Sequence, residues 1–329
     1  HLAYGFLDQR WKYGGTFLYL PNKDPRQAMG INYKYDIEQM GQSESAYPVD
    51  HILGSLLRRR PLDKLSMVQE VEAYYEKEWK RGVSNTLSII NRNVYANQFD
   101  DFSAFGGYFN STEIRLSTRI ALGEKYVMND FDRITLGSSK PVIRFAYGYG
   151  IKAQNIGDYE YHRVSFDWKH RIGMRGLGYS KYYVSAGKIY GNMPYPLLTV
   201  LAGNENYTYD HLSYNLMNYY EFVVDQYVSL YYTHYFNGLF LNKIPLVKKL
   251  DFRELVWGKG VWGSLRPDQK NIHPLPGFLN ALNQPYYEAG FGLENIFRVL
   301  RFDAFWRLSH LDNPGISTFA VRGSMQIKF

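Results

Sequence analysis

Cysteine is absent from the 329-residue chain, so it can hold neither a disulfide nor a thiolate metal site. That suits an oxidising periplasm without requiring one. Also missing is any apolar run of roughly 18 residues, which excludes a membrane-spanning helix. The mean hydropathy of −0.38 would even pass for that of a water-soluble protein. No basic n-region or apolar h-region follows His1, as expected of a chain whose targeting peptide was removed or never included. A formal charge of +7 is spread along the chain and gathered in no arm or helix. No nucleic-acid partner is therefore expected, and an anionic membrane surface is. The 8 histidines show neither HExxH nor paired i, i+4 spacing, so no metal or other cofactor is expected. No linker-like shift in composition divides residues 1–329, which read as a single domain.

What the chain has in quantity is aromatic residues and glycine: 31 Tyr, 20 Phe and 29 Gly, against 21% charged residues. This mixture fits strands with interfacial aromatic girdles better than helices. The pattern has period two. Phe319, Val321, Gly323, Met325, Ile327 and Phe329 alternate without a break with Ala320, Arg322, Ser324, Gln326 and Lys328. At about eleven residues, this segment is long enough for a tilted strand to cross the hydrocarbon layer. Ending on the aromatic Phe329 in that register resembles the recognition signal of bacterial outer-membrane barrels. The same alternation recurs over Met29 to Ile37, Ile114 to Ile120, Val164 to Trp168 and Phe302 to Leu308, with charges on one face only. A soluble sandwich would turn the large apolar face inward and a membrane barrel would turn it outward, so alternation alone does not choose. Leu65 to Trp79 fits a long strand as well as a helical stripe; Lys80, Arg81 and Gly82 then make a tight turn into Val83 to Tyr95.

Counting in this way predicts about fourteen strands: 1–8, 11–20, 26–38, 63–79, 83–95, 110–122, 140–150, 159–171, 176–190, 218–235, 248–262, 286–294, 297–310 and 316–329. The predicted fold class is all-β: a transmembrane antiparallel outer-membrane β-barrel. With the C-terminus on the periplasmic side, the long connections 39–62, 96–109, 191–217 and 263–285 fall outside. The connection 123–139 is long for a periplasmic turn.

Several longer motifs occur in order: YGFLDQRWKYGG at 4–15, YKYDIEQMGQS at 33–43, GKIYGNMPYPLL at 187–198, the tyrosine-rich stretch 214–254 and GLENIFRVLRFDAFWRL at 292–308. With these the chain resembles the barrel of a Bacteroidetes outer-membrane family of unknown function, whose members usually carry a carboxypeptidase-regulatory-like domain ahead of the barrel. The resemblance implies a parent protein with that small domain and two further strands, sixteen in all. It also implies a distant likeness to the barrel-assembly and two-partner-secretion superfamily, in which five strands follow a long sixth outer loop. Five strands follow 191–217 here, although the superfamily's Arg-Gly-aromatic loop signature is absent from that loop.

Four sets of residues are candidates for function. Pro194, Tyr195, Pro196, Leu197 and Leu198 form a stiff apolar stretch ill suited to water, expected to fold into the lumen as a plug. Arg115, Arg119, Arg144, Arg253, Arg301, Arg307 and Arg322 share the charged face and are expected to line the lumen, braced by Glu113, Asp167, Asp251, Glu288, Glu294 and Asp303. Arg58, Arg59 and Arg60 offer bidentate forks to lipopolysaccharide phosphates. Phe329 is the candidate assembly signal. Asp210, His211 and Ser213 form the one compact cluster of hydrolase-type residues, which the loop context reads more simply as ordinary polar groups. The expected function is a non-enzymatic scaffold or assembly and export component for surface proteins. A passive or selective pore, or an outer-membrane hydrolase, is the alternative.

Overall fold

The computed structural model of the protein describes residues 1–5, 9–38, 66–96, 107–131, 133–272 and 275–325. Arg58, Arg59, Arg60 and Phe329 lie outside the described residues. Regular structure is almost all β. The first ten strands are β1 (Leu2–Gly5), β2 (Arg10–Asn22), β3 (Gln27–Glu38), β4 (Ser66–Lys80), β5 (Val83–Tyr95), β6 (Tyr108–Ile120), β7 (Glu124–Met128), β8 (Arg133–Ser138), β9 (Val142–Ile151) and β10 (Tyr161–Gly173). There follow β11 (Tyr179–Gly191), β12 (Thr199–Val200), β13 (Phe222–Val224), β14 (Gln226–Tyr235), β15 (Arg253–Ser264), β16 (Asn280–Ala281), β17 (Tyr286–Ile296), β18 (Leu300–Arg307) and β19 (Phe319–Met325).

Among the described residues, fourteen strands make one antiparallel sheet in the order β1-β2-β3-β4-β5-β6-β9-β10-β11-β14-β15-β17-β18-β19. Successive wall strands are neighbours, so the sheet is a continuous meander. It corresponds strand for strand to the alternation in the sequence. The ambiguous stretch before Trp79 is the long strand β4, paired with β5 across the turn at Arg81 and Gly82.

Three segments depart from the sequence reading. The wall strand expected over 218–235 begins only at Gln226, because Phe222–Val224 leaves the wall to pair with β12 and, in parallel, with β16. All three of its residues are buried, so it lacks the two-sided alternation that a wall strand needs. The strand expected from 248 begins at Arg253, after a 3₁₀ turn (Val247–Leu250) that closes at Asp251 with a left-handed φ of 50°. The long connection after β6 contains the β7–β8 hairpin, held to the base of the wall by Arg133 on Glu78 (2.7 Å) and Arg26 Nη1 on the Phe131 carbonyl (3.1 Å).

Parity decides which face meets which solvent. Ile31, Leu87, Leu116, Phe145, Phe166, Leu230, Phe291, Trp306 and Val321 are exposed, while the opposite parity buries Glu113, Asp167, Lys259, Glu288, Asp303 and Arg322. This is the inverse of a soluble sandwich and the arrangement of a barrel in lipid. The buried face closes round a loop: Val68 on β4, Val94 on β5, Phe109 on β6, Tyr161 on β10 and Ile189 on β11 join one apolar cluster with Met193, Tyr195, Leu197, Leu198 and Val200. Strands so far apart in the sheet reach one short segment only if the sheet curls around it. The glycines of AYGYG have a local role here. Gly148 and Gly150 sit on the inward face of β9, where an added Cβ would collide with the Glu113 carboxylate and the Tyr161 ring of the flanking strands.

Candidate functional site

The connection from Gly191 to Asp225 runs inside the barrel and touches most of the wall. Its first part is apolar. Met193 to Val200 are all buried, with a 3₁₀ turn at Tyr195–Leu197 set by Pro194 and Pro196. Arg163 on β10 donates to the Leu197 carbonyl (2.7 Å). Arg266 ties the two ends of the loop together, donating to Asp225 through Nε (2.6 Å) and to the Gly191 carbonyl through Nη2 (2.9 Å).

The second part is polar, and charged wall residues satisfy its backbone. Glu288 on β17 accepts the N–H groups of Asn215 (2.8 Å) and Leu216 (2.9 Å). Lys259 on β15 donates to the carbonyls of Asp210 (2.8 Å) and Ser213 (2.6 Å) and lies 5.0 Å from the Tyr209 ring centre. Arg322 on β19 donates to the Asn204 carbonyl (3.1 Å), and the Tyr209 N–H donates to the Gly323 carbonyl (3.1 Å). Buried loop backbone would otherwise leave such groups without partners, each at a cost of about 1–3 kcal/mol. The Asp210 carboxylate accepts the Leu212 N–H (2.8 Å), so it caps the local turn, and the 210–213 segment is seated on Lys259.

Two ion pairs anchor the deepest contacts. Arg307 on β18 meets Glu221 of the loop through two hydrogen bonds (2.6 and 3.1 Å) and also donates to the Leu216 carbonyl (3.1 Å). Arg301 forms a bidentate pair with Asp303 (2.7 and 2.7 Å), with the Tyr209 ring stacked 4.4 Å from the guanidinium. Burial pushes the Tyr209 and Tyr214 phenols above their ordinary value, and the Tyr214 hydroxyl donates to the Gly260 carbonyl (3.2 Å).

The arginines picked out by parity fall on the inward face. Arg115 pairs with Glu113 (2.7 Å) and Arg119 with Glu124 (2.6 Å). Arg144 stands in register with Arg119 on one side and Asp167 on the other, and Arg253 with Glu294. Arg301, Arg307 and Arg322 hold the loop or its immediate supports. Lys259, Arg163, Arg266 and Glu221 were not singled out in the sequence. Lys259 and Arg163 carry the same parity signal as the others. Glu221 and Arg266 lie in irregular segments where no period marks them.

Residues 91–264 match a family described as the C-terminal domain of a family of unknown function, DUF5686. No curated protein matches the sequence. Among solved structures, the fold is similar to BamA from Haemophilus ducreyi lacking POTRA domains 1–3. The TM-score is 0.56 at 10% identity, over 96% of this chain and 62% of the other, so the likeness is one of fold.

Proposed function

Through residues 91–264, which match the family's C-terminal domain, the chain belongs to the DUF5686 family, and we propose that its barrel is a non-conducting outer-membrane scaffold, an assembly or export-type component for other surface proteins. The observation that carries this reading is the seating of the 191–225 loop. A loop held in the lumen by Glu288, Lys259, Arg307 and Arg322 is built as a lasting plug, because each contact satisfies a buried group that would be orphaned if the loop left. A solute pore would place such charges toward open water, whereas Glu288, Lys259, Arg307 and Arg322 bind the loop. The resemblance to a barrel-assembly layout supports the assembly role by analogy of fold. The partners on this reading are the outer membrane and other outer-membrane or surface proteins, with lipopolysaccharide phosphates the ligand class for Arg58, Arg59 and Arg60.

The test has two arms. In planar bilayers the intact protein should show no porin-like conductance, and deletion of 194–209 with a short Gly-Ser join should open stable channels while heat-modifiable migration is kept. Cross-linking and pull-down from native membranes should recover surface proteins as clients. An intact protein that conducts like an open porin, or a pull-down without reproducible clients, defeats the proposal.

A further inference from the structure

The outward face of the wall is not equally apolar all the way round. On β10 the outward residues between His162 and His170 are Val164, Phe166 and Trp168; on β14, between Gln226 and His234, they are Val228, Leu230 and Tyr232. Eight residue steps, about 26 Å along the strand, thus separate the polar ends of the belt. On β5 and β6 the polar ends come closer. Asn85 and Thr118 face each other on the outward side and are hydrogen-bonded (2.7 Å), and Trp79 Nε1 donates to Asn85 (2.8 Å). Six residues along, Asn91 donates to Thr112 (2.7 Å), followed by the Asn110–Asn93 bond (2.6 Å). Only the rows Leu87–Leu116 and Ile89–Ile114 remain between them, about 20 Å along the strand.

The polar ends are built features. Asn91 also donates to the Ile156 carbonyl (3.4 Å), and Asp158 exchanges two hydrogen bonds with the Asn110 backbone (2.7 and 3.0 Å), so a β9–β10 connection lies against the upper polar rows. In the Asn91–Thr112 row the adjacent strands carry Val71 on one side and Ile151 on the other; in the Asn85–Thr118 row β4 carries Lys77 and β9 Phe145. The apolar run between polar outward residues is therefore six steps on β5 and β6, against eight on β4 (Gln69 to Lys77), β10 and β14. Hydrogen-bonded amides and hydroxyls remain costly in hydrocarbon, and a bilayer adapts to a short belt by thinning.

We propose that the β5–β6 sector holds a locally thinned bilayer, its hydrocarbon belt about a quarter shorter than that of β10 and β14. The partner is the lipid itself, and the inference rests on the barrel fold, not on the scaffold reading. The absence of cysteine makes the test clean. Single variants Asn85→Cys, Leu87→Cys, Ile89→Cys and Asn91→Cys on β5, and Val164→Cys, Phe166→Cys and Trp168→Cys on β10, are folded into phosphatidylcholine vesicles and checked by heat-modifiable migration. Each is labelled with an environment-sensitive fluorophore and quenched by acyl-brominated lipid. The expected result is strong quenching at 87 and 89 and at all three β10 positions, with several-fold weaker quenching at 85 and 91. In parallel, Asn85→Leu combined with Thr118→Val should shift the best folding yield toward longer acyl chains. Quenching at 85 and 91 equal to that at 166, an unshifted chain-length optimum, or protection at 85 and 91 by a cross-linkable second protein would each overturn the proposal.

Discussion

Arg307 and Glu221, 86 residues apart in the chain, are joined by a two-bond ion pair (2.6 and 3.1 Å) whose side chains are 0% and 6% exposed. One belongs to the wall and the other to the loop, so the pair reports directly on whether the loop is seated. Loss of either charge leaves the other buried and uncompensated, at about 3–5 kcal/mol. Glu221→Ala and Arg307→Ala should each lower the denaturation midpoint in detergent and admit conductance. The double variant Glu221→Met with Arg307→Met should lose less than the two single losses added together, the remainder reflecting groups such as the Leu216 carbonyl left without a donor. If the two losses simply add, the pair is not the latch.

The inside-out assignment of the wall can be tested on one strand. Leu116 is exposed on the lipid side of β6, and Ser117, one residue on, faces inward. Leu116→Arg, like Val321→Arg on β19, should destabilise by about 2–4 kcal/mol, because a guanidinium must enter hydrocarbon. Ser117→Gln should cost less than about 1 kcal/mol. Refolding titrations in lipid that rank these variants in the reverse order would show the faces to be exchanged.

Acid should loosen the β7–β8 hairpin while leaving the wall folded. Burial raises the Glu124 carboxyl, but the hydrogen bonds and charge of Arg119 outweigh it, and the group titrates below its ordinary value. A carboxyl lowered in the folded state contributes stability that is full above its unfolded value near 4.3 and is lost as pH falls through the folded value. Protease cleavage between Met128 and Arg133 should therefore be unchanged from pH 8 to pH 6 and rise below about pH 4. In Glu124→Gln it should be raised at every pH. A wild-type hairpin whose cleavage does not change down to pH 3 rules out this anchor.

Removal of Phe329 should impair assembly in cells far more than it impairs the stability of the folded barrel. One aromatic side chain contributes about 1.5–3 kcal/mol when buried, too little to undo a sheet of fourteen strands. Equal surface levels of truncated and intact protein would remove its role as a docking signal.

Much of the architecture was legible because a wall strand meets two different surroundings and must therefore alternate. That constraint is local, so it is written into runs such as Phe319 to Met325 or Ile114 to Ile120 and gives the strands nearly one for one. It also marked Arg301, Arg307 and Arg322 as sharing a face. Alternation carries no sign, however. That Leu116 faces out and Glu113 faces in was decided by closure of the sheet around the 191–225 loop, a contact between residues far apart in the chain. The loop itself has no period to read. Phe222–Val224 looks like the start of the next strand, and only its burial on every side takes it out of the wall. Tertiary structure likewise chose the partners: Glu221 for Arg307, the Asp210 and Ser213 carbonyls for Lys259, and the paired Asn and Thr residues that narrow the belt at β5–β6. Each depends on which strand lies beside which and in what register. Sequence sets a side chain's face through its own backbone geometry, but its partner depends on how the whole sheet closes.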